Sequence, residues 1–311
     1  MSDAAVSAAT VAATAPVHAG PVAEPSGPTP AEARSSRGIL GKVLGYVAMA
    51  AVLLVVALPM LWMLIASVKT APDLYRVPAT WIPNPFTTDN YRQLFSEISF
   101  GRYLLNSIII AGSLTVIKVL LGVMSAYALV FSDVSKRVRS ILFLVIISAL
   151  LIPNQITVIS NYALVAQLGW RNTFVGIIVP LAGVAFGTFL MRNHFMSLPT
   201  EVIESARMDS AGPMRTLFRV VLPMSWPTLV AFVLITLVNE WNEYLWPFLM
   251  SDDSSTAPLP IGLKMLQNNE GLSNWGPIMG GTLITMLPIL VIFLFLQRPM
   301  IKGLTSGAVK G

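Results

Sequence analysis

Six long apolar runs, separated by more polar segments, dominate the pattern of the chain. A helix needs roughly 20 apolar residues to cross the hydrocarbon core of a bilayer, and each run approaches that length. The pattern therefore predicts an all-α integral membrane protein with six transmembrane helices. The predicted spans are 43–68, 104–131, 140–160, 174–191, 225–249 and 277–296.

Each predicted span contains or borders a glycine or a proline, residues that are more frequent in membrane helices than in soluble ones. We expect kinks at these positions, and kinks open cavities between helices. The positions are Pro59, Gly112, Pro153, Pro180, Pro227 and Pro288.

The composition supports a membrane protein. Hydrophobic residues make up 55% of the chain and charged residues 11%, whereas a soluble domain is roughly 25% charged. The chain has no cysteine, which excludes disulfides, thiol nucleophiles and Cys-ligated metals. Residues 1–38 are instead rich in Ala, Pro, Ser, Thr and Gly, and such a segment buries too little surface to fold. We therefore expect a disordered tail over 1–38 and a membrane domain over 39–311.

The distribution of positive charge predicts the orientation of the chain. Of the 20 Lys and Arg residues, 13 lie in the tail, in the loops after the second and fourth runs, and at the C-terminus. Six lie in the alternate loops, and Lys118 lies within a span. Because cytoplasmic loops are enriched in Lys and Arg, we expect both termini in the cytoplasm. The net charge of +5 thus reflects topology, and no nucleic-acid partner is expected.

Catalytic constellations are absent from the sequence. His18 lies in the tail and His194 at the end of the fourth run, and neither belongs to an H-E-x-x-H motif for zinc. A phosphate-binding loop of the form G-x-x-x-x-G-K-[ST] is also missing. We expect a chain that is not an enzyme, has no metal site, and depends on a partner or an ion gradient for energy.

The segment 197–223 is longer and more amphipathic than a simple connector between spans. Val202, Ile203, Ala206 and Met208 are predicted to share the apolar side of a first helix. The residues 210–213 (SAGP) then break this helix, and a second short helix follows over 214–221. Two short helices at the inner face of the membrane can dock into a groove of a cytoplasmic partner. The alternative is a helix that lies on anionic lipid.

The residues of this segment resemble the EAA loop of binding-protein-dependent ABC importer permeases. The motif is E-A-A, three residues, G, nine residues, then I-x-L-P. Here Glu204-Ser205-Ala206 is followed after three residues by Ser210 and after nine more by Val220-Val221-Leu222-Pro223. Ser205 and Ser210 replace the usual Ala and Gly. Serine at a turn with positive φ costs roughly 1 kcal/mol, unless Gly212 takes over the turn.

Further strings extend the resemblance over most of the membrane part. NEWNEYLWPFLM in the fifth run and QRPMIKGLTSGAVKG at the C-terminus resemble the MalG-type permease subunits of carbohydrate ABC importers. Together with NQITVISNYALV and SNWGPIM, the chain is most similar to their glycerol-3-phosphate or glycerophosphodiester branch. The resemblance implies the type I importer permease (MetI-like) fold in a bacterial inner membrane. It also implies that the segment 197–223 couples to an ATPase through Glu204, Ser205, Ala206, Asp209, Ser210, Gly212, Leu222 and Pro223.

The same resemblance implies the partners. They are a second, related permease subunit, a dimer of ATPase subunits that binds ATP and Mg²⁺, and an extracytoplasmic solute-binding protein. The chain itself is expected to bind no cofactor.

Polar residues within the predicted spans are candidates for the substrate pathway. Asn239, Asn242, Glu243 and Trp246 have the spacing i, i+3, i+4 and i+7, which places them on one face of a continuous helix. Such residues usually face a cavity, where amide, carboxylate and aromatic groups suit a hydroxyl-rich ligand. The alternative is hydrogen bonding between helices. Asn154 and Gln155, after Pro153, are second candidates, and Asn161 is expected at the outer interface.

Three alternatives remain at this stage. Lys118 can reach the membrane interface, pair with a carboxylate or contact a phosphate. The substrate can be a di- or oligosaccharide in place of a phosphate ester. An ion-coupled secondary transporter would need an internal repeat and ionisable groups at the midplane; no repeat is evident, and the candidates are Lys118, Glu240 and Glu243.

Overall fold

The computed structural model describes residues 35–267 and 274–308, and the part so described consists of helices and their connections. The tail predicted over 1–38 falls largely outside it, and the first helix already begins at Ser35. The contacts divide the chain into residues 1–57 and 58–311. The first unit contributes the N-terminal part of helix α1 (Ser35–Ala66), an apolar helix whose side chains over 41–56 are exposed.

Fifteen helices occur in the described residues, together with a 3₁₀ turn (Ala149–Leu151) and a π turn (Leu217–Val221). After α1 they are α2 (Ala71–Leu74), α3 (Asp89–Glu97), α4 (Phe100–Phe131), α5 (Lys136–Ser148), α6 (Asn154–Gln167), α7 (Phe174–Leu181), α8 (Ala185–Phe195), α9 (Thr200–Met208), α10 (Pro213–Thr216), α11 (Leu222–Met224), α12 (Trp226–Trp241), α13 (Leu245–Met250), α14 (Leu259–Met265) and α15 (Trp275–Ala308).

Among the described residues, three uninterrupted helical segments are long and apolar enough to cross a membrane: Gly41–Ala66, Phe100–Phe131 and Trp275–Arg298. Three pairs of helical segments also meet the criterion, but each pair is bent. Counting each pair as one span gives up to six, the predicted number. The bends are 97° between Lys136–Leu151 and Gln155–Gln167, 44° between Phe174–Leu181 and Ala185–Phe195, and 87° between Pro213–Met224 and Trp226–Trp241.

The prolines divide into two groups. The helices break at Pro153, just after Pro180, and at Ser225, two residues before Pro227. By contrast, α1 continues through Pro59 and α15 through Pro288, so neither proline ends its helix.

The fifth predicted span, 225–249, is not one helix, and this expectation was wrong. Helix α12 ends at Trp241, residues 242–244 are not helical, and α13 begins at Leu245. Pro247 explains the break, because proline is tolerated in the first turn of a helix and clashes with the preceding turn in its interior. The four polar residues of this region therefore do not share a continuous helical face.

Helix α4 is central to the second unit, where it packs against α7, α8, α12 and α14. Near the start of α4, a buried apolar cluster joins Phe100 and Tyr103 to Leu237 and Trp241 of α12. Near its end, a second cluster joins α4 to α8, α9, the π turn and α12 through Val123, Ala126, Met191, Phe195, Ile203, Leu217, Val221 and Phe232. The two clusters fix α4 against α12 at both ends of their contact.

The segment 67–99 lies between α1 and the start of α4 and is built on buried polar groups. Lys69 is 1% exposed; its ammonium donates to Thr80 Oγ1 at 2.7 Å and lies 3.5 Å from Asp73 Oδ2. Burial opposes ionisation of Asp73, but hydrogen bonds from the Asn84 N–H, the Thr80 hydroxyl and Lys69 outweigh it. The pKa of the Asp73 carboxyl is therefore below its ordinary value. Asn90 completes the segment by donating to the carbonyls of Ser67 and Lys69.

Candidate coupling surface and cavity

Helix α9 of the segment 197–223 is anchored by two apolar side chains. Ile203 is 4% exposed and Ala206 is 8% exposed, and Ile203 belongs to the cluster at the end of α4. The predicted apolar side also included Val202 and Met208, which are 37% and 80% exposed. That assignment was too wide, because a short helix lying on the bundle buries only a narrow stripe.

The remaining EAA positions of α9 face outward. Glu204, Ser205 and Asp209 are exposed, and Ser205 Oγ donates to the Val202 carbonyl of its own helix at 2.9 Å. The segment also exposes four apolar side chains: Met208 (80%), Met214 (54%), Phe218 (52%) and Val202 (37%). We call the exposed residues of 200–218 the coupling surface. It presents a mixture of acidic, hydroxyl and apolar side chains.

The turn between α9 and α10 is centred on Ser210, which has a positive φ of 55°. The Ser210 N–H donates to the Arg207 carbonyl at 3.0 Å and the Ala211 N–H to the Ala206 carbonyl at 3.1 Å. These two bonds form the Schellman motif, whose left-handed position is usually glycine. Gly212 has φ −63° and precedes α10, so it does not take over the turn. Leu222 and Pro223, which complete the EAA motif, begin α11.

Two arginines bind the C-terminal end of α4. Arg139 of α5 donates to the carbonyls of Val130 and Ser132 at 2.9 and 2.6 Å, and Arg207 of α9 donates to Phe131 at 2.7 Å. The last carbonyls of a helix lack intrahelical partners and carry partial negative charge, so guanidinium groups suit them. A groove of about 470 Å³ lies between this end of α4 and α9. The coupling surface is thereby attached to α4.

A cavity of about 800 Å³ lies among α4, the bent pairs α5–α6 and α7–α8, and the broken pair α12–α13. Its wall combines aliphatic and aromatic groups with amides, hydroxyls and charges. The charged and amide residues of the wall are Lys118, Gln155, Asn161, Asn239, Glu240 and Glu243.

Only some of the residues predicted for the substrate pathway line the cavity. Asn239, Glu243 and Gln155 line the cavity, and Asn239 and Gln155 are exposed. Trp246 lies at the wall but is 4% exposed, and its indole N–H donates to the Gly176 carbonyl at 3.2 Å. Asn242 is not part of the cavity wall.

Asn242 instead donates to the Val238 carbonyl at 2.7 Å. Its assignment to the shared face failed because that face ends where α12 ends. The side chain of Asn154 lies outside the described residues. Asn161, expected at an interface, is half-buried in the cavity wall.

Lys118 pairs with Glu240 across the cavity wall. The distance from Lys118 Nζ to Glu240 Oε1 is 2.6 Å, and the two side chains are 18% and 9% exposed. Of the three alternatives for Lys118, the structure shows the pairing with a carboxylate.

Glu240 and Thr236 are cavity residues that the sequence analysis did not assign to the pathway. They have the spacing i, i+4 on α12, so they share a helical face. That spacing is visible in the sequence and predicts the shared face.

Within the part of the chain that the structure describes, no group of three or more His, Asp or Glu side chains is placed to hold a metal. The absence of a cofactor site remains a prediction.

Comparisons of the sequence and of the structure with known proteins both match components of transport systems. The family described as "binding-protein-dependent transport system inner membrane component" matches residues 118–299. The chain is 33% identical over 262 residues to the sn-glycerol-3-phosphate transport system permease protein UgpE of Pectobacterium atrosepticum, covering 82% of this chain and 92% of that protein.

Two solved structures share the fold. One is a bacterial ABC transporter involved in the import of the acidic polysaccharide alginate, with a TM-score of 0.73 at 21% identity over 87% of this chain and 99% of that one. The other is a bacterial alginate ABC transporter in complex with an alginate pentasaccharide-bound periplasmic protein. Its TM-score is 0.57 at 17% identity, over 85% of this chain and 96% of that one.

Proposed function

The chain belongs to the family of binding-protein-dependent transport system inner membrane components, and from that premise we propose which importer it serves. It forms half of the pathway by which an ATP-driven importer moves glycerol-3-phosphate or glycerophosphodiesters. Residues 39–311 are its permease domain, and both termini lie in the cytoplasm of a bacterial cell.

The attachment of the coupling surface to the cavity supports this role most directly. Arg207 joins α9 to the last turn of α4, and Lys118 of the same uninterrupted helix reaches the cavity wall. Phe131 is 13 residues after Lys118, which is about 20 Å along the helix at 1.5 Å per residue. One rigid helix thus connects the surface offered to a partner with the cavity offered to a substrate.

The proposed partners follow from what this chain leaves exposed. The coupling surface presents Met208, Met214 and Phe218, and apolar side chains on a short helix dock into a groove of a partner. We assign that groove to an ATPase subunit, which binds ATP and Mg²⁺. A second permease subunit completes the pathway, and a solute-binding protein delivers the substrate from outside.

The substrate assignment rests on the similarity to the glycerol-3-phosphate permease UgpE and on the chemistry of the cavity. A phosphate ester of glycerol needs a cation for its phosphate and acceptors for its hydroxyls. Lys118, Glu240 and Glu243 offer both in the cavity wall. A neutral oligosaccharide is the second candidate, because Asn239 and Gln155 also bind hydroxyls, and ion-coupled transport is the third.

The coupling surface is tested by charging its most exposed apolar residue. We expect Met208→Glu to lower co-purification of the ATPase by about tenfold or more, because a carboxylate would be buried in an apolar groove. Ile82→Glu is the matched control: Ile82 is equally exposed at 80% but lies in the segment 67–99, at the other end of α4. Full ATPase yield with Met208→Glu would refute the docking role.

Transport is measured with the complete importer in vesicles that contain the binding protein. We expect uptake of labelled sn-glycerol 3-phosphate that requires ATP inside and survives collapse of the ion gradients. Uptake that stops when the gradients collapse and continues without ATP would instead favour an ion-coupled transporter. Uptake of an oligosaccharide but of no phosphate ester would favour the second candidate.

A further inference from the structure

The ion pair in the cavity lies deep in the helical part of the chain. Lys118 is 18 residues from the start of α4, about 27 Å along the helix, and Glu240 lies in the last turn of α12. A charged side chain at such a depth is costly and is usually retained for a function. The cation also lies at the C-terminal end of α12, where the helix dipole favours positive charge.

Packing alone does not require this pair. Helices α4 and α12 are held on one side of it by Phe100, Tyr103, Leu237 and Trp241, and on the other by the cluster around Phe232. Replacing a buried ion pair by apolar residues is often neutral or stabilising. If the pair served only to hold α4 and α12 together, apolar side chains would do the same. Its charges therefore need another explanation.

The ammonium of Lys118 has hydrogen-bonding capacity to spare. An ammonium carries three N–H donors, and Glu240 Oε1 accepts from Lys118 Nζ at 2.6 Å. Among the described residues, Nζ has no other hydrogen bond, and the side chain remains 18% exposed where it lines the cavity. The N–H groups of Lys118 that Glu240 does not bind can therefore donate to a ligand in the cavity.

The charges of the wall specify which part of a ligand can bind there. Lys118 is the only cationic side chain among the described residues that line the cavity, and Glu240 and Glu243 are the carboxylates. An anionic group must therefore bind at Lys118, where hydrogen bonds are charge-assisted. The carboxylates accept hydrogen bonds only, which suits the hydroxyls of the same ligand.

We propose that Lys118 is the anion-binding group of the cavity, and that it donates its free N–H groups to the phosphate oxygens of a polyol phosphate. Glu240 holds the ammonium at the wall, and Glu243 accepts from the polyol hydroxyls. The site rests on the proposed transport function and specifies the contact that a phosphate ester makes within this chain.

The test is equilibrium binding of labelled sn-glycerol 3-phosphate to the complete importer in nanodiscs, with inorganic phosphate and glycerol as competitors. We expect phosphate to compete and glycerol at the same concentration to fail. Lys118→Gln should weaken binding by about tenfold or more, because a charge-assisted bond is lost. Lys264→Gln, which removes an exposed lysine of α14, is the control and should bind as the unmodified importer does.

Two variants separate ligand binding from structure. Lys118→Gln with Glu240→Gln leaves no unpaired charge, so it should fold even where Lys118→Gln alone does not, and its binding should remain weak. Glu243→Gln should bind the phosphate ester a few-fold more weakly, because an acceptor for a polyol hydroxyl is lost while one side-chain oxygen is kept for the backbone N–H of Trp246.

Wild-type binding by the double variant would overturn the site, since the pair would then be structural. Unchanged binding by Lys118→Gln would do the same while ATP-dependent uptake, and with it the proposed function, stands. An importer that binds a neutral oligosaccharide and no phosphate ester overturns both the site and the proposed substrate. Loss of the ATP requirement for uptake would instead contradict the proposed transport mechanism.

Discussion

Gly187 of α8 faces the ring of Phe232 of α12 beside the cavity, and an added methyl group there has a calculable effect. A Cβ at Gly187 would lie 2.0 Å from Cζ of Phe232 and 2.7 and 2.9 Å from two further ring carbons. Ordinary contacts begin at about 3.4 Å, so the ring must move by more than 1 Å. Phe232 is 1% exposed and also lies against Gly122, which leaves the ring little room.

We expect Gly187→Ala to destabilise the chain by about 1–3 kcal/mol, the usual cost of overpacking a core. That corresponds to a decrease in Tm of roughly 2–10 °C for a chain of this size. Thermal unfolding of the purified importer measures the change. Gly112→Ala is the matched control, because a Cβ at Gly112 in α4 would meet nothing within 4 Å; its Tm should stay level or increase slightly.

The obstacle is the ring itself, so a smaller side chain should relieve it. Phe232→Leu removes ring carbons, and the added methyl group then occupies part of the vacated space. We expect Gly187→Ala with Phe232→Leu to be more stable than the sum of the single changes predicts, by about 1–2 kcal/mol. Strict additivity, or a Gly187→Ala variant with the wild-type Tm, would show that Phe232 does not pack on Gly187.

Two further predictions concern the turn between α9 and α10 and the polar segment 67–99. Ser210→Gly should raise stability by about 0.5–1 kcal/mol, because Ser210 has φ 55° and relief of the left-handed conformation exceeds the entropy cost of glycine; a lower Tm than that of the wild type would contradict the turn assignment. The pKa of Asp73 lies below its ordinary value of 3.8, so the ionised carboxyl stabilises the fold above pH 3.8, and this stabilisation is lost as the pH falls through the lowered pKa. Asp73→Asn should therefore lower Tm at pH 6 and flatten the dependence of Tm on pH below 4; unchanged acid sensitivity would show that another group is responsible.

The apolar runs were sufficient to predict the helical membrane architecture, because span length and hydrophobicity are local properties of the sequence. The breaks were harder to locate. Pro153 and Pro180 broke or bent their helices as expected, but Pro59 and Pro288 did not end theirs. The effect of a proline depends on whether neighbouring groups satisfy the carbonyl that it frees, and those neighbours are not visible in the local sequence.

Local sequence patterns could not predict the contacts that define the two candidate sites, because these contacts join residues far apart in the chain or use backbone atoms. Lys118 and Glu240 are 122 residues apart, and the sequence offers Lys118 several carboxylates as partners. Arg207 binds the backbone carbonyl of Phe131, and a backbone acceptor leaves no signature in the identity of its residue. The EAA spacing singled out the segment 197–223 without showing what anchors it.

The break between α12 and α13 explains why the polar residues of the NEWNE string have different roles. Backbone groups freed in an apolar environment need partners, and two of these side chains supply them. The Asn242 side chain donates to the Val238 carbonyl at the end of α12, and Glu243 Oε1 accepts from the backbone N–H of Trp246 at the start of α13. These bonds cap the two helix ends. Asn239, Glu240 and Glu243 still line the cavity, whereas Asn242 does not, so the position at which the helix ends decides which polar residues remain available to a ligand.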